Sequence, residues 1–174
     1  MRNAKGSIIL IGFMGCGKST VGRLLASQQG WPIFETDDMV AAALGMPIAT
    51  IFARLGEERF RQAETDILRK LNTTPTAIVV TGGGIVLRPE NIKRLRELGT
   101  VVWLTADLET LRERLSRQVN RPLLQTQNPA ETIATLLEQR KRYYEEAADF
   151  TVDTSRLDKK EVAQAIRDGF QLTR

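Results

Sequence analysis

The stretch Gly12-Phe13-Met14-Gly15-Cys16-Gly17-Lys18-Ser19-Thr20 packs three glycines, a lysine and two hydroxyls into nine residues. It meets the pattern G-x-x-x-x-G-K-[ST] at Gly12, Gly17, Lys18 and Ser19. Before it, Ser7-Ile8-Ile9-Leu10-Ile11 reads as a buried strand. After it, Val21, Leu24 and Leu25 mark one side of an amphipathic helix. Strand, glycine loop and helix in that order make a cradle for a polyphosphate. Several backbone N–H groups must aim at one point, and side chains there would block the approach. The helix N-terminus adds donors and a positive dipole end. Lys18 suits the β- and γ-phosphates, and the Ser19 hydroxyl suits a Mg²⁺ shell. Cys16 inside the loop has two readings: a small filler, or a thiol activated by the helix N-terminus.

Outward from the loop, apolar runs alternate with helical patterns. Pro32-Ile33-Phe34, Ala77-Ile78-Val79-Val80, Thr100-Val101-Val102-Trp103-Leu104 and Phe150-Thr151-Val152 continue the strand series. Near-continuous apolar strands separated by helices predict an α/β fold with a parallel sheet covered on both faces. Pro89 and Gly99 bracket one helix with a stripe of Ile92, Leu95 and Leu98. Asp107 is placed to cap the next, with Leu108, Leu111 and Leu115 inward. After Pro129 a longer helix carries Ile133, Leu136, Leu137, Arg140 and Tyr144 on one face, and the last packs through Val162, Ala165, Ile166 and Phe170. Residues 116–128, Ser-Arg-Gln-Val-Asn-Arg-Pro-Leu-Leu-Gln-Thr-Gln-Asn, fit neither period and read as a lid or a disordered loop. No linker or repeat divides the 174 residues, which are expected to form one domain, 1–174.

Composition narrows the chemistry. The chain has no histidine, which removes imidazole bases and imidazole metal ligands. Acid–base work falls to carboxylates, Lys, Tyr or the single cysteine, which also precludes an internal disulfide. The net charge of +4 is spread through the chain without a block of like charges, which suits a small anionic substrate as well as it suits nucleic acid. No apolar run reaches membrane length and no signal-peptide pattern opens the sequence, so a cytoplasmic location is expected.

Four further clusters bear on the second substrate. Phe34-Glu35-Thr36-Asp37-Asp38 ends the second strand, where open parallel sheets bind ligands. Its acids read either as Mg²⁺ or hydroxyl partners or as a solvated helix cap. Gly56 to Glu64 reads as a helix start with Glu57, Arg61 and Glu64 on one face: an arginine braced to grip an anion, or a surface ion-pair ladder. Thr81-Gly82-Gly83-Gly84 follows the third strand and favours a platform for close backbone approach. Arg114, Arg117 and Arg121 belong to or flank the irregular segment, and a loop bearing guanidinium groups can close over a transferring phosphoryl group. Arg140 is a further anion clamp or a snorkelling side chain.

Together, in chain order, these motifs resemble the shikimate kinases: GFMGCGKST, FETDD, GEERFRQAE, TGGGIV, NRPLL and the RKRYY helix, over nearly the whole chain. The resemblance implies a three-layer α/β sandwich of the P-loop NTPase fold. Its five-stranded parallel sheet has the order 2-3-1-4-5, with a lid at about 116–128 and a substrate-binding region at about 35–64. It implies phosphorylation of the shikimate 3-hydroxyl by ATP with Mg²⁺, in aromatic amino-acid biosynthesis. It also implies a monomer that engages small molecules and neither nucleic acid nor membrane. By matching positions, Asp37, Lys18 and Arg121 resemble the catalytic set. Gly12, Gly15, Cys16, Gly17, Lys18, Ser19, Thr20, Arg114 and Arg121 resemble the nucleotide set, with Arg114 against the adenine. Asp37, Arg61, Gly82, Gly83, Gly84 and Arg140 resemble the shikimate set, and Ser19 and Glu35 the metal set. One departure stands out: the family usually shows D-[ST]-D where this chain has Glu35-Thr36-Asp37. Two other readings compete: a related kinase for another small acid such as gluconate, and a non-catalytic nucleotide- or nucleic-acid-binding module.

Overall fold

A computed structural model describes residues 6–74, 76–117 and 128–173. Each apolar run forms a strand: Ile8–Ile11 (β1), Ile33–Glu35 (β2), Ile78–Val80 (β3), Thr100–Thr105 (β4) and Phe150–Asp153 (β5). All neighbours pair in parallel, in the expected order β2-β3-β1-β4-β5. The register places Leu10 opposite both Val80 and Val102, so β1 is central and wholly buried.

Strand alternation then sorts the core into two faces. Ile8 and Leu10 join Val21, Leu25, Leu111, Val162, Ile166 and Phe170. These come from Lys18–Gln29 (α1), Leu108–Ser116 (α5) and Lys159–Leu172 (α7). Ile9 and Ile11 face the other way, against Leu68, Ile92, Leu95 and Tyr144. Those belong to Ile48–Lys70 (α3), Pro89–Leu98 (α4) and Pro129–Ala147 (α6). Two apolar faces buried under two helical layers make the three-layer sandwich. Gly22 lets α1 close on the sheet, since a Cβ there would overlap Val80.

Thr36–Leu44 (α2) and the first part of α3 stand apart from both faces. A separate small core joins Val40 and Ile51 to Phe60 and Ala63 of the second part of α3. Gly56 interrupts α3 with φ 79° and ψ 166°, so a new helical run begins after it, as the sequence predicts. Among the described residues no single helix is long and apolar enough to cross a membrane.

The end signals are partly as read. Asp107 accepts from the Thr110 N–H at 2.7 Å, and Asn128 caps α6 through the Glu131 N–H. Gly99 follows α4 in an extended conformation rather than a left-handed cap. The glycine is needed because a Cβ would strike the Ser7 carbonyl. The reciprocal cap at the N-terminus of α7, Asp158 with Glu161, escaped the sequence reading. Residues 118–127, which hold most of the expected lid and Arg121, lie outside the described residues.

Candidate active site

The carboxyl ends of β1, β2 and β3 converge at one edge of the sheet, and the loops leaving them build two adjoining cavities. At the larger, of about 440 Å³, the glycine loop turns from β1 into α1. Gly12, Gly15 and Gly17 all have positive φ. At Gly17 there is open space for a Cβ, so the need is conformational: φ 92° delivers the first turn of α1 toward the cavity. Lys18 is buried and spans the loop from within, donating to the Gly12 carbonyl at 2.8 Å and the Phe13 carbonyl at 2.9 Å. Those carbonyls fix the ammonium where a phosphate tail would meet it. Ser19 and Thr20 line the same cavity. Cys16 is buried in the core beside Phe13, with Sγ 3.8 Å from the Lys18 Nζ, which favours the packing role over an accessible thiol.

The far wall comes from α5 and the β5–α7 connection. Arg114 donates to the Gly15 carbonyl at 3.3 Å, the Thr154 hydroxyl at 3.0 Å and the Thr154 carbonyl at 2.8 Å. Thr154 is buried, and its hydroxyl also lies 3.2 Å from the Cys16 carbonyl and 2.9 Å from the Thr105 carbonyl. One side chain thus ties β4, β5, α5 and the glycine loop together. The sequence reading missed Thr154 and its neighbour Leu157, which lines the cavity. Their position just past a strand end was the only available signal.

The second cavity, about 70 Å³, adjoins the first at Asp37 and Gly83, which line both. Asp37 sits in the first turn of α2. The preceding Thr36 is fully buried and accepts from the Gly82 N–H at 3.1 Å, which locks α2 to the loop after β3. Each of the three glycines makes room for something different. A Cβ on Gly82 would overlap Asp37 Oδ1 and come within 2.7 Å of Glu64 Oε1. On Gly84 it would overlap the Arg61 guanidinium, and on Gly83 it would crowd the Met14 N–H at 3.3 Å. The Gly83 carbonyl accepts from Arg140 at 3.4 Å and from the Tyr144 hydroxyl.

The Glu57–Arg61–Glu64 group is not a surface ladder. The Arg61 side chain is 8% exposed and Glu64 0%, and their NH1–Oε2 distance is 2.7 Å. Arg61 Nε and NH2 both donate to Glu57 Oε1, at 3.2 and 2.7 Å. Burial alone would lower the Arg61 pKa, but Glu64 and Glu57 outweigh it and the pKa rises. For Glu64, burial is the largest influence and pushes the carboxyl up to about 7. Arg61 and Arg140 pull it down, and Asp37 adds to the rise. Burial likewise raises the Tyr144 phenol. Arg140 is buried with its guanidinium carbon 5.7 Å from the Phe13 ring centroid, so it faces the site rather than snorkelling. Glu35 behaves otherwise: it lines neither cavity, and its Oε1 accepts from Arg23 at 2.7 Å.

With this geometry in place, the comparisons with known proteins decide the family. A shikimate kinase family model matches residues 14–170. The chain belongs to the shikimate kinase family. A family member from Moorella thermoacetica is 46% identical over 95% of either chain. A solved shikimate kinase from Acinetobacter baumannii, in complex with shikimate, superposes with a TM-score of 0.90 at 36% identity, covering 97% of this chain and 94% of that one. A gluconokinase from Sinorhizobium meliloti superposes with a TM-score of 0.59 at 20% identity, a likeness of fold alone. Family membership makes this chain a kinase, and the charged second cavity next to the glycine loop is a feature that a plain nucleotide-binding module would not need.

Proposed function

We infer that the protein transfers the γ-phosphoryl group of ATP to the 3-hydroxyl of shikimate, yielding shikimate 3-phosphate. The observation that carries this reading is the joint cavity. Asp37 stands between a phosphate cradle and a pocket bearing two buried guanidinium groups, Arg61 and Arg140. Two arginines fit a carboxylate-bearing acceptor. A carboxylate at their shared boundary fits an acceptor hydroxyl.

In this reading Gly12 to Thr20 hold the phosphate tail, and Lys18 neutralises charge that builds on the β- and γ-phosphates. Arg114 and the residues around Thr154 hold the base. Arg61, Arg140 and Gly82 to Gly84 orient the acid so that its hydroxyl meets Asp37, which orients that hydroxyl and accepts its proton as the oxygen attacks phosphorus. Transfer of this kind depends mostly on position and charge. Arg121 would complete the phosphate contacts from the expected lid. Mg²⁺ brought in with the nucleotide needs few protein ligands, because phosphate oxygens and water complete its shell. The absence of any three-acid cluster among the described residues is therefore compatible with it. The Ser19 hydroxyl would hold it, and it would supply charge neutralisation. Glu35 could assist only after leaving Arg23.

ADP release in Mg-ATP, measured separately with shikimate, quinate and gluconate, tests the reading. Turnover with shikimate alone is expected. Nucleotide binding without shikimate turnover would reassign the acceptor.

A further inference from the structure

Each of the three Arg61 nitrogens already donates to Glu57 or Glu64, which leaves one N–H on NH1 and one on NH2 for a ligand. A carboxylate arriving at this guanidinium would share its positive charge with those two acids. They can yield in different ways. The Glu57 side chain is 48% exposed and can turn into water. Glu64 cannot. It is fully buried, and its Oε1 has no hydrogen-bond partner among the described residues. That oxygen and Asp37 Oδ1 close on the same point beside Gly82. Among the described residues, the charged groups that act on Glu64 all line the same cavity: Arg61 on α3, Asp37 on α2 and Arg140 on α6, with Glu57 bonded to Arg61 and the Tyr144 hydroxyl to the Gly83 carbonyl behind them. An added anion weakens the hold of both arginines on Glu64 while Asp37 remains beside it. A buried carboxylate in that position relieves its charge by binding a proton.

Given a carboxylate-bearing acceptor, as inferred above, we propose that Glu64 takes up a proton from solvent when the acceptor binds, so that the positive charge of Arg61 and Arg140 is left to the ligand. Glu64 is then a positioning residue whose protonation state sets the charge of the acceptor pocket. The free carboxyl at about 7 is already largely protonated below that pH, so uptake on binding is small there and grows above it. Linkage then requires acceptor affinity to weaken with rising pH, by up to about tenfold per unit between roughly pH 7 and 9.

The test is calorimetric titration of the intact protein with shikimate at pH 6 and pH 8, in buffers of different ionisation enthalpy. The expected result is uptake of more than about half a proton per ligand at pH 8 and near none at pH 6. The uptake should vanish, and the affinity become flat with pH, in Glu64→Gln. Binding with no buffer dependence at pH 8 overturns the proposal, as does uptake that survives in Glu64→Gln. If that variant does not fold, infrared difference spectra of the wild type with ¹³C-labelled glutamate carboxyls decide. A protonated-carboxyl band that appears on binding and shifts with the label supports Glu64, and its absence overturns it. Absence of any shikimate binding removes the acceptor reading itself, whereas binding without proton exchange removes only the role of Glu64.

Discussion

The two ends of the joint cavity are built on opposite plans. The phosphate end is one contiguous loop, Gly12 to Thr20, whose donors are backbone and whose lysine is held by carbonyls of the same loop. The end proposed for the acceptor is assembled from α2, α3, α6 and the loop after β3, and its side-chain charges are buried against one another. A phosphate tail recurs across many proteins, so a local backbone device suffices for it. A particular acid must be told from others, which takes charges held at set distances by separate elements. Substitutions at one end should therefore leave the other end working, except at the boundary residues such as Asp37 and Gly83 that line both cavities.

The sharpest way to break this division is at that boundary. Asp37→Asn should lower kcat by about 10²–10⁴-fold while ATP affinity is kept. Near-normal turnover would move the role to Asp38 or abolish it. Second in size is the burden of the buried acid. Glu64 in the folded state titrates at about 7 against an ordinary 4.5, so between those values the native protein holds a proton that the unfolded chain has lost. This contribution is present below about pH 4.5 and is lost as pH rises through 7. Relative to Glu64→Gln, the wild type should lose about 3 kcal/mol over that window, read from urea unfolding at a series of pH values. A constant gap between the two proteins would show that the carboxyl is not displaced.

Gly84→Ala comes next. Its methyl would push the Arg61 guanidinium from its seat without straining the backbone, since φ is −105°. The KM for shikimate should rise roughly 30-fold, equivalent to about 2 kcal/mol of a charged contact, with the KM for ATP unchanged. Equal losses for both substrates would mean that the two ends are mechanically one. The smallest effect belongs to Thr154→Val, which keeps the shape but removes the hydroxyl that joins Arg114, Cys16 and Thr105. The KM for ATP should rise about 3- to 10-fold and that for shikimate should stay, as expected for a neutral hydrogen bond.

What the sequence by itself determined follows the same division. The glycine loop, the five strands and the capped helices depend on contacts within a few residues, and their spacing could be read directly. Asp107 before its helix and Gly56 before the Arg61 run are examples. Motif order was enough to reach the family. Only the tertiary structure decided which charges matter. On spacing alone, Glu57, Arg61 and Glu64 fit a solvated ladder as well as an anion clamp. Packing of α2 on α3, and of Gly82 against Asp37 and Glu64, buried one end and left Glu57 half in water. Glu35 read as a metal-shell residue by matching position, and only the folded chain shows that its carboxylate pairs with Arg23, twelve residues away. Thr154 joins partners up to 138 residues distant, so no local pattern could mark it. Burial and desolvation arise when distant segments meet, and they set the strength of every charge in this site.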